Sequence, residues 1–174
     1  MHLQLAIAQL EFARVYTRTL LADVQPDEWY MQPAGATTHL AWQVGHLAMA
    51  EYGLCLFRQR GRRELDLELM TGAFRKQFSR GSTPQRPEPA GEGQTEARPV
   101  APVADILATW ERVHQQTLLE LPTLTDEQLA EPVEAPYAAY PNKLGCLLFC
   151  SHHEMLHAGQ IGLLRRLLGK TPIR

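Results

Sequence analysis

The sequence predicts an all-α protein, a four-helix bundle. Four long stretches repeat apolar residues at three- and four-residue spacing, and no stretch alternates apolar with polar residues as a half-buried strand does. Connections of varied length, several of them rich in Pro and Gly, separate these stretches.

The first helix is read from Leu3, Ile7, Leu10, Val15 and Leu20-Leu21, with Gln9, Arg14 and Arg18 between them, over about Leu3 to Asp23. Pro26-Asp27-Glu28 is a turn that opens a short piece at Trp29, and Gln32 to Ala36 is loop. A hydroxyl of Thr37 or Thr38 is the expected cap of a second helix, about His39 to Arg60, marked by Leu40, Val44, Leu47, Glu51 and Leu54. Leu65 to Phe78 has helical composition interrupted by Gly72. Ser79 to Pro102 is rich in Gly, Pro, Ser, Thr and Glu and reads as an irregular excursion, long for a loop in a compact domain. The helical pattern resumes beyond it, so residues 1–174 are expected to form a single domain.

Val103, Leu107, Trp110, Val113, Leu118 and Leu121 mark the third helix, which ends before Pro122. Thr125-Asp126-Glu127-Gln128 starts a short helical turn, and Glu131 to Pro141 is proline-rich loop. Asn142 is the expected cap of the last helix, which runs to about Leu168. Gly169 suits its C-terminal end, with Arg165, Arg166 and Lys170 at the favourable pole of the helix dipole.

Composition narrows the function. The chain has 174 residues, 45% hydrophobic and 21% charged, which is globular rather than disordered. A net charge of -2 gives no electrostatic footprint for nucleic acid. No apolar run reaches the length of a membrane span, and Met1-His2-Leu3-Gln4 does not begin a basic region followed by an apolar block. The expectation is a cytoplasmic protein with a small-molecule substrate and no nucleic-acid or membrane partner. Cys55, Cys146 and Cys150 lie in helical patterns and read as reduced, buried thiols.

The chemistry concentrates in the last helix. His153 and His157 are four residues apart, so they share one helix face and are placed to point at one ion. Phe149, Leu164 and Leu168 continue the spacing, so this is the face a bundle buries. Imidazoles on a buried face are costly unless something binds them. His46, central in the second helix between apolar neighbours, is the best third ligand. His46, His153 and His157 would leave coordination positions open, the pattern of catalytic rather than structural metal sites. The other reading is three separate core histidines, each satisfied by backbone or by a carboxylate, and spacing alone does not choose.

His153-Glu154-Met155-Leu156-His157 also fits the H-E-x-x-H pattern of zinc peptidases, but the longer form fails at Gln160 and Leu163, and no acid follows Glu154. Glu154 is the candidate catalytic group, as a proton acceptor near the metal. It could instead orient a histidine, and an inter-helix ion pair is an equal alternative. Gln43 and Gln160, one turn from His46 and His157, are candidates to touch substrate or orient a histidine, or simply face solvent. His39 lies two turns from His46, too far to share its ion, and is expected at a cap or surface; His152 faces elsewhere, and His2 and His114 show no partner spacing.

Two stretches resemble the DinB-like (DinB/YfiT) superfamily. They are Thr38-His39-Leu40-Ala41-Trp42-Gln43-Val44-Gly45-His46-Leu47-Ala48-Met49-Ala50-Glu51 and the last helix from His153 to Arg166. The resemblance implies a four-helix bundle holding a divalent metal, zinc or nickel, on three histidines, which by position are His46, His153 and His157. It also implies a homodimer formed through helix faces. For activity it implies a family in which some members transfer low-molecular-weight thiols such as bacillithiol or mycothiol and others isomerise maleylpyruvate with a thiol cofactor. The expectation is a metal-dependent, thiol-dependent S-transferase-like enzyme. A hydrolase using metal-bound water and a non-catalytic metal-stabilised binding module are the alternatives.

Overall fold

The structure is a computed structural model that describes residues 2–87, 100–135 and 137–173. Residues 88–99 of the excursion expected at residues 79–102 lie outside the described residues. Among the described residues the protein is all-α, with one isolated bridge between Pro132 and Asn142 and no strand.

The long helices are α1 (His2–Leu21), α2 (Leu40–Glu51), α5 (Val103–Glu120) and α7 (Lys143–Leu167). Shorter pieces are α3 (Asp66–Leu69), α4 (Gly72–Phe78) and α6 (Asp126–Ala130). α2 continues through π-helical turns, Tyr52–Phe57, into a last α-turn, Arg58–Arg60. The stretch expected as one interrupted helix up to Phe78 is two, because Met70 is extended and Thr71 caps α4 by accepting from the Phe74 amide.

Local chemistry sets the helix ends. The Asn142 side chain accepts from the Gly145 amide at 2.8 Å and starts α7. Gly169 takes φ 82°, and the amides of Gly169 and Lys170 close onto Arg166 and Arg165. Thr125 and Gln128 form a reciprocal capping box for α6. The cap of α2 is His39, not Thr37 or Thr38: the Trp42 amide donates to its Nδ1 at 3.1 Å.

α1 and α7 run side by side in parallel, tied by Arg14 to Glu154 midway and Asp23 to Arg165 at the end. α2 runs antiparallel to α7: His46 meets His153 and His157, and further along Gln59 reaches the Lys143 carbonyl. One apolar cluster gathers Leu20, Leu40, Leu47, Trp110, Ile161 and Leu164, and a second gathers Ala6, Leu10, Cys55, Leu121, Leu147 and Cys150. The cysteines are free and buried.

The buried face of α1 differs from the apolar pattern. Val15 is 57% exposed, while Arg14 is completely buried. Its guanidinium lies 4.0 Å from the centroid of the Trp110 ring, donates to Glu154 at 2.9 Å and to Glu51 at 2.6 Å, and reaches the Trp110 carbonyl. His114 completes the cluster by donating from Nδ1 to Glu51 at 2.8 Å. Burial alone would raise the Glu51 pKa, but Arg14 and His114 overcome it and hold the carboxyl below its ordinary value. At Glu154 burial wins over Arg14 and the pKa is raised.

Candidate metal centre

His46, His153 and His157 are brought together from α2 and α7, with candidate ligand atoms all within 4.8 Å of one another. Helix periodicity places His153 and His157 on adjacent turns of α7, their ring centroids 4.5 Å apart. The His46 ring lies 5.2 Å and 4.9 Å from them.

Two of the three rings are held in a defined tautomer. His46 Nδ1 lies 2.8 Å from the Phe78 carbonyl, which can only accept, so Nδ1 carries the proton and Nε2 keeps its lone pair. His157 Nδ1 likewise donates to Gln43 Oε1, and Gln43 is itself held by its amide bond to Thr38 Oγ1 at 3.1 Å. Gln43 is therefore the residue that orients a histidine, while Gln160 is exposed on the outer face of α7. Fixing the outer nitrogen of an imidazole in this way is how metal-binding histidines are normally presented.

Gly45 makes the Phe78 contact possible. A Cβ at this position would lie 2.4 Å from the Phe78 ring, so only glycine lets α4 approach α2 closely enough to offer its carbonyl to His46. Trp42 stacks on His46 with ring centroids 4.8 Å apart and planes 7° from parallel, pinned by its indole N–H to Ser82 Oγ at 3.0 Å. Phe149 lies 5.7 Å from His153 on the other flank.

Burial keeps these histidines neutral. It lowers the His46 pKa, it brings His153 to about 4 with help from His46, and it brings His157 to about 3 with help from both neighbours. Neutral imidazoles with their lone pairs converging are the donor set for a borderline divalent ion, so the residues present fit a metal.

Glu154 sits outside this cluster. Both of its oxygens accept from Arg14 in the core, so of the roles open to it the structure shows the inter-helix ion pair. His152 is exposed. His114, which shows no partner spacing in the sequence, is bonded to Glu51, 63 positions away.

His39 supplies a titratable cap. Its Nδ1 accepts from the Trp42 amide, so its Nε2 carries the proton toward the Gln85 carbonyl at 3.0 Å. Burial pushes its pKa down to about 4, against the upward pull of that carbonyl bond. As pH falls below 6.5 the unfolded chain takes up a proton that the folded chain refuses until about 4, so this part of the stability is complete above pH 6.5 and drains away between the two values. His39→Asn keeps a capping side chain but cannot titrate. Its melting temperature is expected to fall less than that of the wild type on acidification from about pH 7 to about pH 5. Parallel pH profiles would contradict the assignment.

Comparison with known proteins bears on family and fold. The model of the DinB superfamily matches residues 9–161. A solved structure described as the crystal structure of the conserved protein of locus from Enterococcus faecalis superposes with a TM-score of 0.62 at 18% identity, covering 96% of this chain and 97% of that one. At that identity the likeness speaks to the fold. No curated protein matches.

Proposed function

The chain belongs to the DinB superfamily, and from that premise and the histidine geometry we propose that it is a divalent-metal-dependent enzyme working with a low-molecular-weight thiol. Zinc or nickel held by His46, His153 and His157 would supply Lewis acidity, which lowers the pKa of a thiol or a water molecule. The observation that favours thiol chemistry over hydrolysis is the donor set. Among the described residues no carboxylate joins the histidines, and Glu154, the base a hydrolytic H-E-x-x-H site would need, is bound to Arg14. A thiol acidified at the site needs no protein base to become a nucleophile.

The surrounding residues have roles of their own. Phe78 and Gln43 hold the His46 and His157 rings from behind, so that the lone pairs on Nε2 stay available. Trp42 and Phe149 provide apolar walls that exclude water from the flanks.

The test is turnover of an aryl halide by metal-loaded protein over a range of cysteine or bacillithiol concentrations. Conjugate formation that rises with thiol and requires metal supports the transferase. Ester hydrolysis indifferent to thiol would favour the hydrolase, and neither activity would leave a metal-binding module.

We also place a homodimer contact on the paired outer faces of α1 and α7. Leu5, Phe12 and Val15 on α1 and Leu156 and Leu163 on α7 are each about half exposed or more, which is unusual for an unpartnered surface. Light scattering should find a dimer for the wild type and a monomer for Phe12→Glu. A monomeric wild type would remove the contact.

A further inference from the structure

We propose that Ser82 is a positioning residue of the metal centre: its hydroxyl fixes the Trp42 indole, and the indole fixes the plane of the His46 ring. The role rests on the three-histidine metal reading alone and is independent of the thiol chemistry.

His46 is the ligand whose orientation matters most. It is the one member of the set that comes from α2, so an ion joins the two helices through this ring. The Phe78 carbonyl holds its Nδ1 at 2.8 Å. One hydrogen bond leaves the tilt of the ring plane open, and tilt carries the Nε2 lone pair away from the point where the three ligands converge. A face-to-face neighbour closes that freedom. Trp42 is that neighbour, its ring centroid 4.8 Å from that of His46 and its plane 7° from parallel.

The stack is only as fixed as the indole itself. Trp42 donates its indole N–H to Ser82 Oγ at 3.0 Å. The Ser82 hydroxyl proton goes to the Gln77 carbonyl at 2.7 Å, so the oxygen presents a lone pair to the indole. Gln77 lies on α4 immediately before Phe78. The same end of α4 therefore supplies both restraints on His46: the Phe78 carbonyl directly, and the tilt through Gln77, Ser82 and Trp42 in turn. The Ser82 amide closes the turn by donating to the Ser79 carbonyl at 3.0 Å. The Gln77 side chain meanwhile accepts from the Ala101 amide at 3.2 Å, so the two borders of the 79–102 excursion meet at one residue beside the site.

The segment that carries Ser82 has anchors of its own. The Gln85 carbonyl accepts from His39 Nε2 at 3.0 Å, and Arg86 donates to Gln32 Oε1 at 2.8 Å. Removing the Ser82 hydroxyl therefore frees the indole without freeing the segment. Groups that hold a metal ligand from behind are worth about ten- to a hundred-fold in affinity, and one acting through a neighbour belongs at the lower end.

The test titrates cobalt(II) into the metal-free full chain, with each variant shown to be folded by circular dichroism. Visible absorption gives the affinity, and the band positions report the coordination geometry. Ser82→Ala should weaken cobalt binding about ten-fold and shift the bands. Ser79→Ala is the control. Its hydroxyl reaches the Lys76 carbonyl at 3.2 Å and not the indole, so it should bind as the wild type does. Trp42→Phe keeps an aromatic ring but cannot donate to Ser82, and in that background Ser82→Ala should cause no further loss. Unchanged affinity and bands in Ser82→Ala, a loss that Ser79→Ala shares, or the same loss in the Trp42→Phe background would each overturn the role of Ser82 while leaving the metal reading standing. Wild type that takes up no cobalt would overturn the metal reading, and the role of Ser82 with it.

Discussion

Arg14→Met is expected to lower the unfolding free energy by about 3–5 kcal/mol, the cost of leaving buried charge uncompensated. For a chain of this size that is a fall of roughly 10 °C in melting temperature. The side chain is almost wholly enclosed, and its removal strands the Glu51 and Glu154 carboxylates in the core. Methionine keeps much of the volume and the contact with Trp110, so the loss measures charge rather than cavity. Neutralising both carboxylates in the same background, as Glu51→Gln and Glu154→Gln, should recover part of the loss, because the members of such a cluster are not additive. Arg18→Met is the control. Its pair with Glu111 is substantially solvent-exposed, and a loss within about 1 kcal/mol is expected. A similar loss from the two arginine substitutions would mean that the buried cluster contributes nothing particular to the fold.

Zinc or nickel added to metal-free wild type should raise its melting temperature by roughly 10 °C when the metal is about a thousand-fold above its dissociation constant, since binding to the folded state alone adds about 4 kcal/mol. His46→Ala and His157→Ala should show no such rise. Each substitution removes one of three nitrogen donors, and the two that remain come either from one helix or from two helices joined by a single ligand each. Each variant is compared with its own metal-free state, because removing His46 or His157 also removes its hydrogen bond to Phe78 or Gln43. An equal shift in wild type and variants would show that the metal binds elsewhere.

Much of the fold was legible because it depends on local pattern. The long helices follow from apolar spacing, and Asn142, Thr125 and Gly169 mark ends through side-chain and backbone chemistry that acts within a few residues. The histidine cluster was legible only in part: His153 and His157 declare a shared face by their spacing and His46 sits amid apolar neighbours, but spacing left three separate core histidines equally open, and the family resemblance favoured the cluster. Arg14 was not. A lone arginine in an amphipathic helix reads as solvated, and its partners Glu51 and Glu154 are 37 and 140 positions away. Val15 fits the apolar repeat equally well as core or as surface, and only packing sends it outward. His39 was expected at a cap or surface, but the cap of α2 was read at Thr37 or Thr38, because hydroxyl and carboxamide residues dominate that position. The Phe78 carbonyl that holds His46 has no side-chain signature at all. It is delivered by the closeness of α4 to Gly45, which a glycine in a helix only hints at.

The central claim is that His46, His153 and His157 together hold one divalent ion. Elemental analysis of protein purified without a histidine tag, wild type beside His153→Ala, tests it most directly. Wild type is expected to hold about one zinc or nickel ion per chain and the variant none. Wild type that stays empty after reconstitution, or a variant that keeps the full complement, would contradict it.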